Sequence, residues 1–324
     1  MCLYPRFMKN PKYKPNKKNG GNPPTITDKR VEYVPVGCGK CIECRNQKKR
    51  EWQIRLNEEL KTDEGKFITL TFTNESLKEL ENELEIGESN AVATLAVRRF
   101  LERWRKKYKK SVKHWLITEL GHENTERIHL HGILFTKEDT QTIAEIWKYG
   151  NIWIGDYCNA KTINYIIKYV TKVDEQHKGY EPKILTSAGI GKNYIKTNGR
   201  RNKYNGTDTK EDYKLPNGAK TAIPIYYRNK IYTEEERQNL WLYKLDKQER
   251  YVMGTKISVK YSEDTYYKVL EEARKVNKRL GYGSNNKKWD KQKYNTTLKK
   301  LRDYEKAQKE LNESLEKIQK DFAD

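Results

Sequence analysis

Two histidines with one residue between them are the side chains best placed to do chemistry. His129 and His131 lie in the apolar run Ile128–Phe135, which favours a β-strand. Alternate side chains share one face of a strand, so both imidazoles can bind the same divalent cation. A hairpin centred near Asn124 would place Glu119, from the preceding apolar run, opposite His129 and within reach of that cation.

The predicted metal site of Glu119, His129 and His131 leaves positions open for a phosphate oxygen and a water molecule, which suits Lewis-acid chemistry. A His-x-His pair by itself is more often structural. The carboxylate predicted opposite it, and a total of five histidines, favour the metal site. His114 and His122 are alternative ligands, and His122 could instead orient a ligand from its loop.

A second pattern brings phenols and ammonium groups together. Tyr165, Lys168, Tyr169 and Lys172 share one face of a helix predicted over 160–173, whose other side is apolar. A phenol has a pKa of about 10, so lysines or a metal-activated phosphate would have to assist it as a nucleophile. In a chain with 23 tyrosines, tyrosines that only pack are the alternative; the histidine strand favours the nucleophile.

The charge of the chain indicates a polyanionic partner. A formal net charge of +21 attracts phosphates, and aromatic rings among the 23 Tyr and 7 Trp can stack on unpaired bases. A basic but otherwise ordinary soluble protein is the alternative. The predicted DNA contacts lie at the basic end of a helix over 91–110: Arg105, Lys106, Lys107, Lys109 and Lys110.

Two functional classes are disfavoured by missing motifs. No apolar run reaches the length of a membrane span, and the first residues lack the apolar stretch of a signal peptide, so a cytosolic protein is expected. The segment Gly189–Lys192 lacks the spacing of a Walker A motif and the Ser or Thr after the lysine. The protein is therefore not expected to be its own helicase.

The order of the elements predicts an α+β fold with an antiparallel sheet. The predicted strands are 67–73, 115–120, 128–135 and 151–154. The predicted helices are 45–60, 91–110, 139–148, 160–173, 234–250 and 263–324. An irregular basic arm over 1–36 and long loops over 178–232 complete the chain. The predicted domains are 1–60, 61–232 and 233–324.

The C-terminal helical region contains an approximate heptad seam. Its members are Leu301, Tyr304, Gln308, Leu311, Leu315, Ile318 and Phe322. A coiled coil and a terminal helix packed on its own domain are both compatible with this spacing, so the oligomeric state stays open.

A cysteine cluster near the N-terminus could bind a second metal. Cys38, Cys41 and Cys44 have Cys-x2-Cys-x2-Cys spacing, and Cys2 could complete four thiolate ligands for a structural Zn²⁺ ion. An iron–sulfur cluster is a less favoured alternative, and three reduced thiols in a turn are as plausible as a metal. Five cysteines, an odd number, argue against a disulfide scaffold.

Together these motifs resemble those of the HUH endonuclease superfamily, which includes rolling-circle replication initiators, plasmid relaxases and some transposases. His129-Leu130-His131 matches its His-hydrophobic-His motif, and Phe67–Phe72 is similar to the first strand motif of the initiators. Tyr165 with Lys168 matches the Tyr-x-x-Lys motif, and Tyr169 with Lys172 repeats it. Glu119 stands where initiators of this class often place a third metal ligand.

The resemblance narrows to the replication initiators of microviruses, single-stranded-DNA bacteriophages, and within them to the gokushovirus branch. Gly37–Arg45, followed by a basic helix, resembles their N-terminal signature. Ser187–Lys192, Leu215–Gly218 and Ile223–Tyr227 are also similar to segments of that family. The resemblance covers roughly the first 230 residues.

The resemblance implies an HUH fold: an RRM-like antiparallel sheet flanked by helices, here with a helical C-terminal extension. It implies Mg²⁺ or Mn²⁺ at the histidine site and single-stranded origin DNA as substrate. One tyrosine, with Tyr165 slightly favoured over Tyr169, would nick the plus strand to give a 5′-phosphotyrosine and a free 3′-OH. The second tyrosine would act after a round of synthesis, and the released ends would be rejoined.

The same resemblance implies host partners, because the chain lacks a Walker motif. A host helicase and DNA polymerase would act with it in the cytoplasm of the bacterial host. Two other functions stay open: a relaxase or transposase with the same chemistry, and a non-catalytic basic DNA-binding protein with an RRM-like sheet.

Overall fold

The computed structural model describes residues 1–85, 88–122, 125–155, 157–177, 179–215 and 218–284, with short pieces at 306–307, 310–311 and 313–315. The chain forms two compact units that are each discontinuous in sequence. The first unit comprises Met1–Glu64, Cys158–Glu181 and Ala188–Asn286. The second comprises Gly65–Tyr157, Pro182–Ser187 and Lys287–Asp324. The contiguous domains at 1–60, 61–232 and 233–324 stay a prediction.

The described residues form both helices and strands. The α-helices are α1 (Ile42–Leu60), α2 (Asn74–Leu84), α3 (Ser89–Tyr108), α4 (Thr140–Trp147), α5 (Ala160–Ile166), α6 (Asn193–Asn198), α7 (Ile225–Ile231), α8 (Glu234–Asp246) and α9 (Asp264–Arg279). The strands are β1 (Arg6–Lys9), β2 (Tyr33–Val36), β3 (Lys66–Leu70), β4 (Lys113–Leu120), β5 (Ile128–Phe135), β6 (Ile152–Ile154), β7 (Ile184–Thr186), β8 (Asp212–Lys214), β9 (Lys220–Ala222), β10 (Glu249–Val252) and β11 (Thr255–Ser258).

The second unit is built on a five-stranded antiparallel sheet with the strand order β6-β3-β5-β4-β7. Apolar residues at alternate positions bury one face, including Leu130, which pairs with Thr118. The Thr118 hydroxyl donates to Oδ1 of Asn90 at 2.6 Å, which places α3 on this face. His129 and His131 therefore point to the opposite face.

Gly132 allows the two central strands of the sheet to approach each other. It pairs with Leu116, and a Cβ atom at Gly132 would lie 2.1 Å from the carbonyl oxygen of Trp115. Any other side chain would push β4 away from β5. The glycine that follows His131 thus maintains the strand pairing on which the histidine face depends.

The first unit is organised around α1, which packs against α5 and the 3-10 turn Ile167–Val170. A tyrosine-rich apolar cluster joins Ile54 of α1 to the segments after 190: Tyr194, Tyr213, Ile223, Tyr227, Tyr232 and Leu240. A second cluster surrounds the start of α1: Leu3, Cys41, Val252, Ile257, Leu270 and Ala273. These two clusters connect distant parts of the sequence to one helix.

The structure confirms the predicted α+β class with an antiparallel sheet flanked by helices. The arm over 1–36 was predicted to be irregular, which is wrong, because β1 and β2 pair as an antiparallel ribbon within it. The helix predicted over 160–173 ends at Ile166 and continues as a 3-10 turn to Val170. The helix predicted over 234–250 ends at Asp246, because the next residues enter the hairpin of β10 and β11.

Two further features of the sheet unit were missed. The strand predicted over 67–73 ends at Leu70, and Thr73 caps α2 by accepting a hydrogen bond from the backbone N–H of Ser76. The short strand β7 adds an edge to the sheet beside β4.

The C-terminal segment is described only in part. Of the helix predicted over 263–324, the structure describes α9, and most of the proposed heptad seam lies outside the described residues. No helix among the described residues is long and apolar enough to cross a membrane.

Candidate functional site

The central hairpin of the sheet brings the predicted metal ligands together. Glu119 of β4 pairs with His129 of β5, which confirms the strand register predicted from the sequence. On the other side of β5, His131 pairs with Thr69 of β3. Because paired residues in neighbouring strands point to the same face, all four side chains lie on the face opposite α3.

The three candidate ligand atoms converge on one point. Oε2 of Glu119 lies 3.3 Å from Nε2 of His129 and 3.0 Å from Nε2 of His131. The two imidazole rings are perpendicular, with centroids 4.9 Å apart. A carboxylate and two imidazoles arranged in this way could hold a divalent cation and leave its remaining positions to other ligands.

Hydrogen bonds on the far side of each imidazole orient the rings. Nδ1 of His129 lies 3.3 Å from the carbonyl oxygen of Arg127, which can only accept, so this bond needs the proton on Nδ1. Nδ1 of His131 lies 3.0 Å from the hydroxyl of Thr69, which can accept in the same way. With the proton on Nδ1, the lone pair of each Nε2 faces Glu119, as metal binding requires.

Aromatic residues border the histidines on the side of β3 and β6. The Phe67 ring stacks on His131 with centroids 6.5 Å apart, and Trp153 meets Phe67 edge-on at 5.4 Å. Trp153 is 57% exposed, which is unusual for so large an apolar side chain. Neither Thr69 nor Trp153 was identified as a site residue from the sequence. The register of β3 against β5 was the signal for Thr69, and the alternation in Ile152-Trp153-Ile154 was the signal for Trp153.

The two alternative histidine ligands fall elsewhere. His114 is buried on the α3 face, where its Nδ1 lies 3.0 Å from the Ser187 hydroxyl, and burial lowers its pKa. It faces away from Glu119 because it pairs with Leu134, one position out of phase with His131. His122 lies in the loop after β4, outside the group of three converging ligands.

The tyrosine segment lies in the first unit, at the junction of α5 and the 3-10 turn. The hydroxyl of Tyr169 donates to that of Tyr165 at 3.0 Å, and their rings meet edge-on. Tyr165 is 45% exposed, whereas Tyr169 is 6% exposed. Nζ of Lys168 lies 3.8 Å from the centroid of the Tyr165 ring, and Nζ of Lys172 lies 5.9 Å from that of Tyr169. The structure thus brings the four predicted residues together.

Three contacts from other parts of the first unit fix the tyrosine segment. Arg45 of α1 donates to the carbonyl oxygen of Lys172 at 3.0 Å, and the Tyr282 hydroxyl donates to that of Thr171 at 3.1 Å. Gln53 of α1 donates to Asn164 at 2.7 Å. No local pattern in the sequence signals these contacts, because they join residues more than a hundred positions apart.

The basic end of α3 presents the predicted DNA contacts to solvent. All five residues, Arg105, Lys106, Lys107, Lys109 and Lys110, are exposed. A shallow groove of about 770 Å³ beside them is lined by Arg103, Lys106, Lys107, Glu145, Ile146 and Lys148. The excess of positive charge along this groove suits a phosphate backbone.

The four cysteines predicted as zinc ligands also converge, with their Sγ atoms all within 4.8 Å of one another. Cys158 stands apart from them. It is half-buried, and burial raises the pKa of its thiol to about 12.

Comparison with known proteins supports a role in replication. Residues 65–174 match the family model of the ORF2-type replication-associated proteins. The matched range contains both the histidine face and the tyrosine segment. The chain is also similar to the replication-associated protein ORF2 of Spiroplasma virus 4, with 27% identity over 194 residues. That match covers 51% of this chain and 58% of the relative, so less than two thirds of the relative's length is spanned. No solved structure matches.

Proposed function

We propose that the protein initiates rolling-circle replication by nicking single-stranded plus-strand origin DNA with a tyrosine, and later rejoins the ends. The observation that carries the proposal is the convergence of Glu119, His129 and His131 on one face of the sheet, inside the region similar to replication-associated proteins. On this proposal the sheet is an HUH fold, and the chain is an initiator of the microvirus type.

The histidine face is proposed to hold Mg²⁺ or Mn²⁺. Its donor set of two neutral imidazoles and one carboxylate fits a divalent cation, and the hydrogen bonds to Arg127 and Thr69 keep both Nε2 atoms directed at it. Such an ion supplies Lewis-acid polarisation of the scissile phosphate. Glu119, His129 and His131 hold and orient the ion.

Tyr165 is proposed as the first nucleophile, because it is the more exposed of the pair. Its phenolic oxygen attacks the phosphorus, and the bond from phosphorus to the 3′ oxygen breaks. The phenolic proton passes to solvent, and the leaving oxygen takes up a proton to become a 3′-OH. The products are a 5′-phosphotyrosine and a primer end for synthesis.

The neighbours of Tyr165 support this step. Tyr169 donates a hydrogen bond to the Tyr165 oxygen, which helps to stabilise negative charge on that atom. Lys168 places a positive charge beside the Tyr165 ring, where it also offsets charge at an incoming phosphate. Tyr169 is proposed to attack the regenerated origin after a round of synthesis, and the released 3′-OH then rejoins the strand.

Single-stranded DNA is proposed to bind through phosphate contacts at the basic end of α3, with a base stacked on Trp153. Because the sequence contains no Walker A motif, unwinding and synthesis are assigned to a host helicase and a host DNA polymerase. The protein is proposed to act in the cytoplasm of a bacterial host.

Replacement of the two histidines tests the proposal. We expect the His129→Ala/His131→Ala variant to bind single-stranded phage-genome oligonucleotides like the wild type and to lose Mn²⁺-dependent cleavage. Binding is measured by fluorescence anisotropy, and cleavage by denaturing gel. A matched control is His114→Ala, which removes a histidine from the opposite face. Retained cleavage in the double variant would overturn the metal assignment, and wild-type binding without any cleavage would favour the non-catalytic binding protein.

A further inference from the structure

The start of α1 carries a second group of candidate metal ligands, remote in sequence from the histidine face. Cys2 comes from the N-terminal segment, Cys38 and Cys41 from the turn before α1, and Cys44 from its first turn. Sγ of Cys41 lies 3.9 Å from Sγ of Cys2, and Sγ of Cys38 lies 4.0 Å from Sγ of Cys44. These separations are about twice the 2.05 Å length of a disulfide bond.

The sulfur spacing fits one tetrahedral ion. Four Zn–S bonds of about 2.3 Å arranged as a tetrahedron separate the sulfurs by about 3.8 Å. The two shortest separations are close to this value, and all four sulfurs lie within 4.8 Å of one another. An iron–sulfur cluster would hold its cysteine sulfurs further apart, because the cluster core stands between them.

Backbone N–H groups converge on two of the sulfurs. Sγ of Cys2 accepts from the N–H groups of Tyr4 at 3.3 Å and Cys38 at 3.1 Å. Sγ of Cys38 accepts from the N–H groups of Lys40 at 3.4 Å and Cys41 at 3.3 Å. A thiolate accepts such bonds far better than a neutral thiol, and metal-bound thiolates are commonly supported in this way.

The turn between Cys38 and Cys41 depends on a glycine. Gly39 has a φ of +77°, a conformation that side chains other than glycine rarely adopt. This conformation lets the chain reverse so that the N–H groups of Lys40 and Cys41 point back at Sγ of Cys38.

The cluster joins three separate segments of the first unit. The N–H group of Ile42 donates to Oδ1 of Asn277 in α9 at 2.9 Å, and Arg274 of α9 donates to the carbonyl oxygen of Leu3 at 2.9 Å. Leu3 and Cys41 are fully buried against α9 and the β10–β11 hairpin. An ion bound by the four cysteines would therefore hold the N-terminal segment, the start of α1 and α9 together.

We propose that Cys2, Cys38, Cys41 and Cys44 bind one structural Zn²⁺ ion that fixes the N-terminal segment and α9 to the start of α1. All four positions are filled by protein sulfurs, as in structural rather than catalytic zinc sites. Arg45, which follows Cys44, donates to the Lys172 carbonyl, so the ion also stabilises the helix turn that anchors the tyrosine segment. This site does not depend on the proposed nicking activity.

Metal analysis of the full chain tests the proposal. We expect the protein, purified without added metal, to contain one zinc ion per chain by inductively coupled plasma mass spectrometry. The Cys41→Ser/Cys44→Ser variant should contain none above the buffer level, whereas the matched control Cys158→Ser should keep its zinc. Wild-type protein that contains no zinc, or iron with sulfide in its place, would overturn the proposal, as would zinc retained by the double variant.

A measurement on the wild type avoids dependence on the folding of that variant. Titration with an organomercurial should release zinc, detected by a chromogenic chelator, in step with the modification of four of the five thiols. The protein reconstituted with Co²⁺ should show the intense visible absorption of a tetrahedral tetrathiolate ion. Reaction of all thiols without zinc release, or the weak spectrum of octahedral Co²⁺, would contradict the proposed site.

Discussion

Thr69 has no metal-binding or nucleophilic role in the proposal, yet its hydroxyl helps to determine which nitrogen of His131 faces Glu119. Its Oγ1 lies 3.0 Å from Nδ1 of His131, and the carbonyl oxygen of Arg127 plays the same part for His129. Partners of this kind fix the tautomer and the ring orientation of a metal-binding histidine. The chemistry of the site therefore depends on residues that a motif search does not select.

Loss of the Thr69 hydroxyl should weaken metal binding. We expect Thr69→Val to lower the affinity for Mn²⁺ by about 10- to 100-fold, as is typical when such partners of metal-binding histidines are removed. The measurement is the Mn²⁺ concentration that gives half-maximal cleavage, supported by calorimetry. Thr71→Val is the matched control, because the Thr71 hydroxyl donates to the Asn151 carbonyl and not to a histidine. Equal affinities for Thr69→Val and the wild type would contradict the orienting role.

The strand pairing that carries the ligands was predictable because strands have a period of two. Alternation over Ile128–Phe135 fixed the face of the histidines, and one hairpin then placed Glu119 opposite His129. The end of β3 was not predictable, since Thr71 and Phe72 continue the same alternation. The ribbon of β1 and β2 was missed because its pairing spans a long, polar stretch with a proline in one strand.

The element most sensitive to substitution should be the β4–β5 pair. We expect Gly132→Ala to lower the free energy of unfolding by about 3 kcal/mol, because the new Cβ would collide with the backbone at Trp115 and Leu116. Thermal or urea denaturation measures the change. Gly199→Ala is the control: its backbone is near-helical, and the nearest atom to a new Cβ lies 3.7 Å away. An unchanged stability for Gly132→Ala would contradict the close strand approach.

The contact between α1 and the tyrosine segment should affect cleavage rather than metal binding. We expect Arg45→Ala to lower the cleavage rate about tenfold, since it removes a charge-assisted hydrogen bond to the Lys172 carbonyl. Arg50→Ala removes an equal charge from an exposed position of the same helix and should have little effect. Single-turnover cleavage at saturating Mn²⁺ measures both variants. Similar rates for the two would show that the contact does not position the tyrosines.

At the scale of the whole molecule, the family match and the chemistry coincide only in part. The matched residues 65–174 contain the histidine face and the tyrosines, but not the cysteine cluster or α9. The first unit draws its residues from three separate stretches of chain, and its two apolar clusters unite positions far apart in sequence. Periodicity reports only local structure, so the sequence could not predict this assembly.

The net charge of +21 should govern DNA affinity through phosphate contacts. We expect the logarithm of the affinity for single-stranded DNA to fall linearly with the logarithm of salt concentration. Lys106→Ala/Lys107→Ala/Lys110→Ala should reduce the slope by about 2, at about 0.7 per phosphate contact. The same number of alanines in α9, at Lys268, Lys275 and Lys278, should leave it nearly unchanged. Equal slopes for the two triple variants would contradict a DNA contact at the end of α3.

Covalent trapping on single-stranded DNA tests the proposed tyrosine chemistry most directly. The protein is incubated with Mn²⁺ and oligonucleotides covering the genome that encodes it, and adducts are detected as an SDS-resistant shift. We expect an adduct for the wild type and for each of Tyr165→Phe and Tyr169→Phe, and none for the double variant. An adduct that persists in the double variant, or no adduct from the wild type with any oligonucleotide, would contradict a tyrosine nucleophile in this segment.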